Sequence, residues 1–135
     1  MKPFYFLART CLAWVFVQAG LDVLRHPAAR AKAARPFLEQ VRGVSPLPLP
    51  HDIALVRANA ALHLAAGGAM ALGARPRLAA SALMVSLVPT TWGGHAFWAA
   101  TDTGTRAAHR SHFAKNLSIF GGLMLVVLTG GRPRR

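Results

Sequence analysis

The sequence predicts an all-α, polytopic membrane protein, a four-helix bundle with a bent third helix and a basic interfacial helix in the first loop. Three observations lead there. Hydrophobic residues fill 53% of the 135 positions and charged residues only 15%, giving a mean hydropathy of +0.34. The apolar residues gather into four blocks, 3–24, 53–74, 78–100 and 116–131, and all but Arg9 and Arg57 of the 16 basic residues lie outside them. No block alternates apolar and polar residues as an outer-membrane barrel strand does. A soluble helix would keep a charged face, whereas Met70 to Leu72 and Ser81 to Thr91 are apolar or small on every side.

About 20 apolar residues cross ~30 Å of hydrocarbon, and the first three blocks meet that length with 22, 22 and 23 residues. The first is too long for the core of a cleaved signal peptide. Its single Cys11 follows Leu7, Ala8, Arg9 and Thr10, which lacks the apolar region of a lipoprotein signal, and one cysteine excludes an intrachain disulfide or dithiol relay. Residues 27–42, PAARAKAARPFLEQVR, read as a surface helix at anionic head groups, with Phe37, Leu38 and Val41 as apolar contacts. The following SPLPLP is extended, because alternating prolines forbid helix. In the third block, Pro89 removes a hydrogen bond and frees the Val85 carbonyl, and Gly93 and Gly94 weaken the helix just beyond, so a bend is expected. The fourth block has 16 residues and reaches across if Lys115 and the Arg132, Arg134, Arg135 tail snorkel. His109, His112 and Asn116 recur on one side of a helix that begins before it. Gly67, Gly68, Ala71, Gly73, Gly121 and Gly122 read as close packing sites.

Four spans place the termini and the 75–77 turn on one face and the 25–52 and 101–115 segments on the other. The first face carries six basic residues and the second eight, too even a division to orient the protein by its positive charge. The net charge of +12 is therefore read as interfacial. Nucleic acid is not an expected partner, since no basic stripe with interleaved aromatics exists.

Polar residues within the spans are the candidate site, because lipid makes them costly unless they turn inward. Arg9 stands apart near the terminal face, within snorkelling distance. The others converge at the opposite end. Gln18 and Asp22 share one side of the first span, Arg57 and Asn59 begin the second, and Asp22 and Arg57 are an expected pair. His63 lies deeper. The bend aims Trp92, His95, Phe97 and Trp98 at this end, where His112, Lys115 and Asn116 also lie. No HxxxH, HExxH or Cys/His pattern points to a metal site. Two readings stay open: a cavity for a quinone head group or similar small molecule, and histidines that merely satisfy neighbouring groups at a kink.

Beyond this residue-level reading, the chain resembles the DoxX family of small membrane proteins. The resemblance rests on Leu7-Ala8-Arg9 through Phe16, Gly20-Leu21-Asp22, Leu24 and His26-Pro27, then Val56-Arg57-Ala58-Asn59. It continues in Val88-Pro89-Thr90-Thr91, His95-Ala96-Phe97-Trp98, His112-Phe113, Lys115-Asn116-Leu117 and Gly121-Gly122-Leu123. It looks most like actinobacterial members and spans nearly the whole chain. The resemblance implies a four-helix inner-membrane protein of a group, with DoxD and MauE, linked to thiol or sulfur redox chemistry beside a quinone pool. DoxD-like relatives belong to a thiosulfate:quinone oxidoreductase, and DoxX-like proteins have been proposed as membrane partners of a sulfurtransferase and a superoxide dismutase. Of the candidates, Arg9, Pro89, His95, Lys115 and Asn116 match the family pattern; His63 does not.

The expected function is an auxiliary subunit, not catalytic alone, of a redox-linked complex in the inner cell membrane, with the lipid bilayer and protein partners or further copies of itself as neighbours. One alternative is a quinone-linked oxidoreductase subunit with a cavity near His95, quinone being favoured as a cofactor over a bis-histidine haem held by His63 and His95. A second is a lipid or small-molecule transporter using the break at Pro89.

Overall fold

The computed structural model describes residues 2–46, 48–94 and 96–130. Five helices follow one another: α1 (Lys2–Arg25), α2 (Pro27–Val44), α3 (Asp52–Leu72), α4 (Pro76–Gly94) and α5 (Thr103–Thr129). No strand occurs among the described residues. Three helices, α1, α3 and α5, are long and apolar enough to cross a membrane. Little of them is buried within the protein, and large apolar side chains such as Phe4, Trp14, Val85 and Leu128 stand exposed. In water such a surface would aggregate; in lipid it is the solvated face.

The expected third span changes most. Its helix ends at Gly94 rather than near residue 100, and residues 97–99 form a turn. The backbone stays helical through Pro89. Thr90 Oγ1 donates to the Ser86 carbonyl at 2.9 Å and the Leu87 carbonyl at 3.1 Å, so carbonyls beside the proline gain a partner. Helix then stops where two glycines are adjacent. α4 lacks an apolar stretch long enough to count with α1, α3 and α5, and it packs between α3 and α5.

The helix expected over residues 27–42 forms and extends to Val44. Its Ala31 is buried and Phe37 lies over Gly93, where an added Cβ would come within 2.5 Å of the ring. The end of α2 is tied to the start of α3 by Arg42, whose guanidinium donates to the Pro50 carbonyl at 2.9 Å and lies 2.6 Å from Asp52. The expected fourth block forms the second half of α5, a continuous helix that starts at Thr103. Asp102 caps it, its carboxylate accepting from the Thr105 backbone N–H at 2.7 Å. That bond holds the Asp102 carboxyl below the usual carboxylate range.

Neighbouring helices in the sequence of spans run antiparallel. The α1–α3 contact is the most extensive and rests on glycine at two levels. A Cβ on Gly20 would lie 2.9 Å from the Ala60 carbonyl oxygen, and one on Gly67 would lie 3.0 Å from Val17 Cγ2. Without a hydrophobic drive between helices already in lipid, this close approach of backbones supplies much of the association. A buried core of Phe16, Met70, Leu83 and Leu123, with alanines between them, fills the half of the protein nearer the termini.

At that terminal end α3 closes in a Schellman motif. Gly73, at φ 76°, donates to the Met70 carbonyl and Ala74 to the Ala69 carbonyl. Arg9 lies over this cap, where an added Cβ on Gly73 would be 3.0 Å from its Nη2, and the guanidinium faces the negative end of the helix dipole.

Replacing Gly67 by Leu is expected to force α1 from α3 and cost about 1–3 kcal/mol, seen as a lowered thermal midpoint in detergent. Gly68, where an added Cβ meets nothing, is the control. Equal midpoints for Gly67→Leu and Gly68→Leu would contradict this packing.

Candidate functional site

The deepest polar cluster joins α3 to α4. Asn59 and His63 are one helical turn apart on α3, so both face the same neighbour, and α4 presents Ser86 to them. Ser86 Oγ donates to Asn59 Oδ1 at 2.5 Å. That bond uses the only hydroxyl proton, so His63 Nε2, 2.8 Å from Ser86 Oγ, is the donor and carries hydrogen. Asn59 Nδ2, itself a donor, lies 3.5 Å from His63 Nε2 and is not its partner. Both His63 and Ser86 are buried, at 8% and 4% exposure, and the edge of Phe16 covers the imidazole at a centroid distance of 5.3 Å. His63 stands eleven residues into α3, ~16 Å along its axis at ~1.5 Å per residue, near half the depth of a bilayer core.

A second polar link joins α4 to α5, where Asn116 Nδ2 donates to Thr91 Oγ1 at 2.9 Å. Beside it runs a groove of about 210 Å³, lined by Leu87, Val88, Trp92, Phe113 and Phe120 with Thr91 and Asn116 as its polar members. Trp92, Phe97, Trp98 and Phe113 pack by their rings at 4.9 to 6.1 Å at its mouth. Such an aromatic group suits the membrane–water interface.

The expected convergence is only partly realised. Asn59 and Asn116 lie inward, on two different helix interfaces. Trp98 belongs to the aromatic group. Asp22 does not meet Arg57. Its carboxylate lies 3.3 Å from Arg30 and 3.5 Å from His26, all exposed, while Arg57 is exposed on α3. Helix α2 begins directly after α1, and this brings a nearer cation to Asp22 than the one across the bundle. Lys115 and His112 contact one another at 3.3 Å on the exposed side of α5. Arg9 lies at the other end, and Gly93 is a seat for Phe37 as well as a helix terminator. His95 lies outside the described residues. Among the described residues, no three His, Cys, Asp or Glu side chains gather as a metal site would require.

Sequence reasoning missed Ser86, Thr91 and the Arg42–Asp52 pair. Ser86 and Thr91 are five residues apart and fall on different sides of α4, one toward α3 and one toward α5, so no single-face pattern in the sequence marks both.

The long, lipid-exposed helices and the internally paired polar groups define a small helical membrane protein. The chain belongs to the DoxX family, whose model matches residues 4–96, from α1 to just beyond α4. Neither curated proteins nor solved structures yield a match to it.

Ser86→Ala and His63→Leu are each expected to destabilise the protein in detergent, and the double variant to lose less than the sum by about 0.6 kcal/mol, the usual coupling of hydrogen-bonded pairs between membrane helices. Strictly additive losses would show that the two side chains do not interact.

Proposed function

We propose that the chain is an auxiliary subunit of a redox-linked complex in the inner cell membrane, crossing it four times with α1, α3, α4 and α5 as a four-helix bundle. The single observation that carries this reading is where the polar side chains go. Ser86 bonds both Asn59 and His63, and Asn116 bonds Thr91, so these groups hold helices together instead of facing a substrate. The lone thiol, Cys11, is exposed on α1, and any second sulfur in thiol chemistry comes from a partner or substrate. Purification in mild detergent is expected to yield a discrete complex containing a redox-active protein in stoichiometric amount. A clean monomer or homo-oligomer from native membranes would contradict the proposal.

The groove between α4 and α5 favours a second reading, a quinone-binding subunit. Its apolar and aromatic walls suit a quinone ring, and Thr91 and Asn116 supply hydrogen-bonding groups at one point. On this reading a quinone analogue raises the thermal midpoint of the wild type and not of Asn116→Leu; no rise with any quinone removes it.

A further inference from the structure

We infer that the end of the protein opposite α2 holds a site for the phosphate head group of an anionic phospholipid, built by Arg75 and Arg77 where α4 begins and α5 ends. An open cavity of about 410 Å³ lies there, lined by Arg75, Pro76, Arg77, Leu78, Thr129 and Gly130. Arg77 reaches across to α5. Its Nε would lie 3.1 Å from a Cβ on Gly130, which caps α5 at φ 65°, so only a glycine there lets the guanidinium lie so close. Arg75 is the one non-glycine among the described residues with a positive φ, 45°.

The charge distribution selects the ligand. All 4 acidic residues of the chain, Asp22, Glu39, Asp52 and Asp102, lie at the α2 end. Three of them pair with cations there and Asp102 caps α5. No described carboxylate forms an ion pair with Arg75 or Arg77. Two arginines with no acid partner among the described residues, both lining one cavity where α4 begins and α5 ends, complement a phosphate.

The apolar surroundings select a lipid as its source. Leu78 lines the cavity, and exposed Leu78, Val85 and Val88 on α4 and Leu117, Leu125 and Leu128 on α5 continue from it along the protein. Residues 78 to 88 of a helix cover ~15 Å, about half of a ~30 Å hydrocarbon core. This is the depth of one leaflet, and Val88 there lines the α4–α5 groove. An acyl chain anchored by its phosphate between Arg75 and Arg77 would lie along this strip.

The protein in detergent, titrated with phosphatidylglycerol and followed by native mass spectrometry and thermal midpoint, tests the site. Wild type is expected to retain phosphatidylglycerol over phosphatidylcholine, and Arg75→Gln/Arg77→Gln to hold it about thirtyfold more weakly, the effect of two basic side chains at an anionic surface. Arg75→Lys/Arg77→Lys keeps most of the binding, which separates lost charge from lost fold. Arg25→Gln/Lys32→Gln, at the other end, costs clearly less. Retention by the Gln variant equal to wild type, an equal loss in the Arg25/Lys32 variant, or no preference over phosphatidylcholine would overturn the inference. So would full protection by inorganic phosphate alone, which would assign the arginines to a free anion.

Discussion

Hydrocarbon offers no hydrogen bonds, so each polar group drawn into it must find its partner within the protein. The arrangement of α4 depends on this constraint more than on any single apolar contact. It carries Ser86, Thr90 and Thr91, and its proline leaves a carbonyl without its usual donor. The three hydroxyls are each answered locally or across an interface. Thr90 donates to carbonyls of its own helix, Ser86 joins α3 through Asn59 and His63, and Thr91 accepts from Asn116 on α5. A helix that is not apolar enough to qualify by composition is thereby fastened on both sides. The same rule acts on lone hydroxyls of the other helices, where Thr10 and Ser118 donate to carbonyls one turn back.

The two halves of the molecule divide the work. Near the termini, small and apolar residues make a tight core around Met70, Leu83 and Leu123, with Arg9 over the capped end of α3 and Arg77 over that of α5. Towards α2 the helices are joined by polar links and bordered by the α4–α5 groove and its aromatic mouth. The acidic residues are confined to this second end, so the net positive charge is partly neutralised there and unopposed by acids at the other.

Most of the fold is legible in the sequence because lipid imposes lengths and composition directly. Residues 3–24 and 53–74 nearly coincide with α1 and α3, and the prolines that bracket residues 27–42 make the surface helix visible. The end of α4 is less so. Hydropathy continues past Gly94, and the stop comes from paired glycines and from Phe37, which seats on Gly93 from another helix. The site is harder still. Asn59 and Asn116 are visible as amides in apolar stretches, but their partners Ser86 and Thr91 are residues common in membrane helices. Only the rotation and depth of α4 reveal which hydroxyl meets which amide. The expected Asp22–Arg57 pair fails for a related reason: spacing along one helix says which residues share a face, not which neighbour arrives first.

Amide hydrogen exchange across α4 in lipid nanodiscs reaches the central claim most directly, since polar fastening between α3 and α5 requires this helix to sit in the membrane with them. Protection of residues 80 to 90 comparable to that of α3, reduced when Ser86 is replaced by Ala, is the expected result. Exchange in α4 as fast as in the surface helix α2, with or without Ser86, would contradict it.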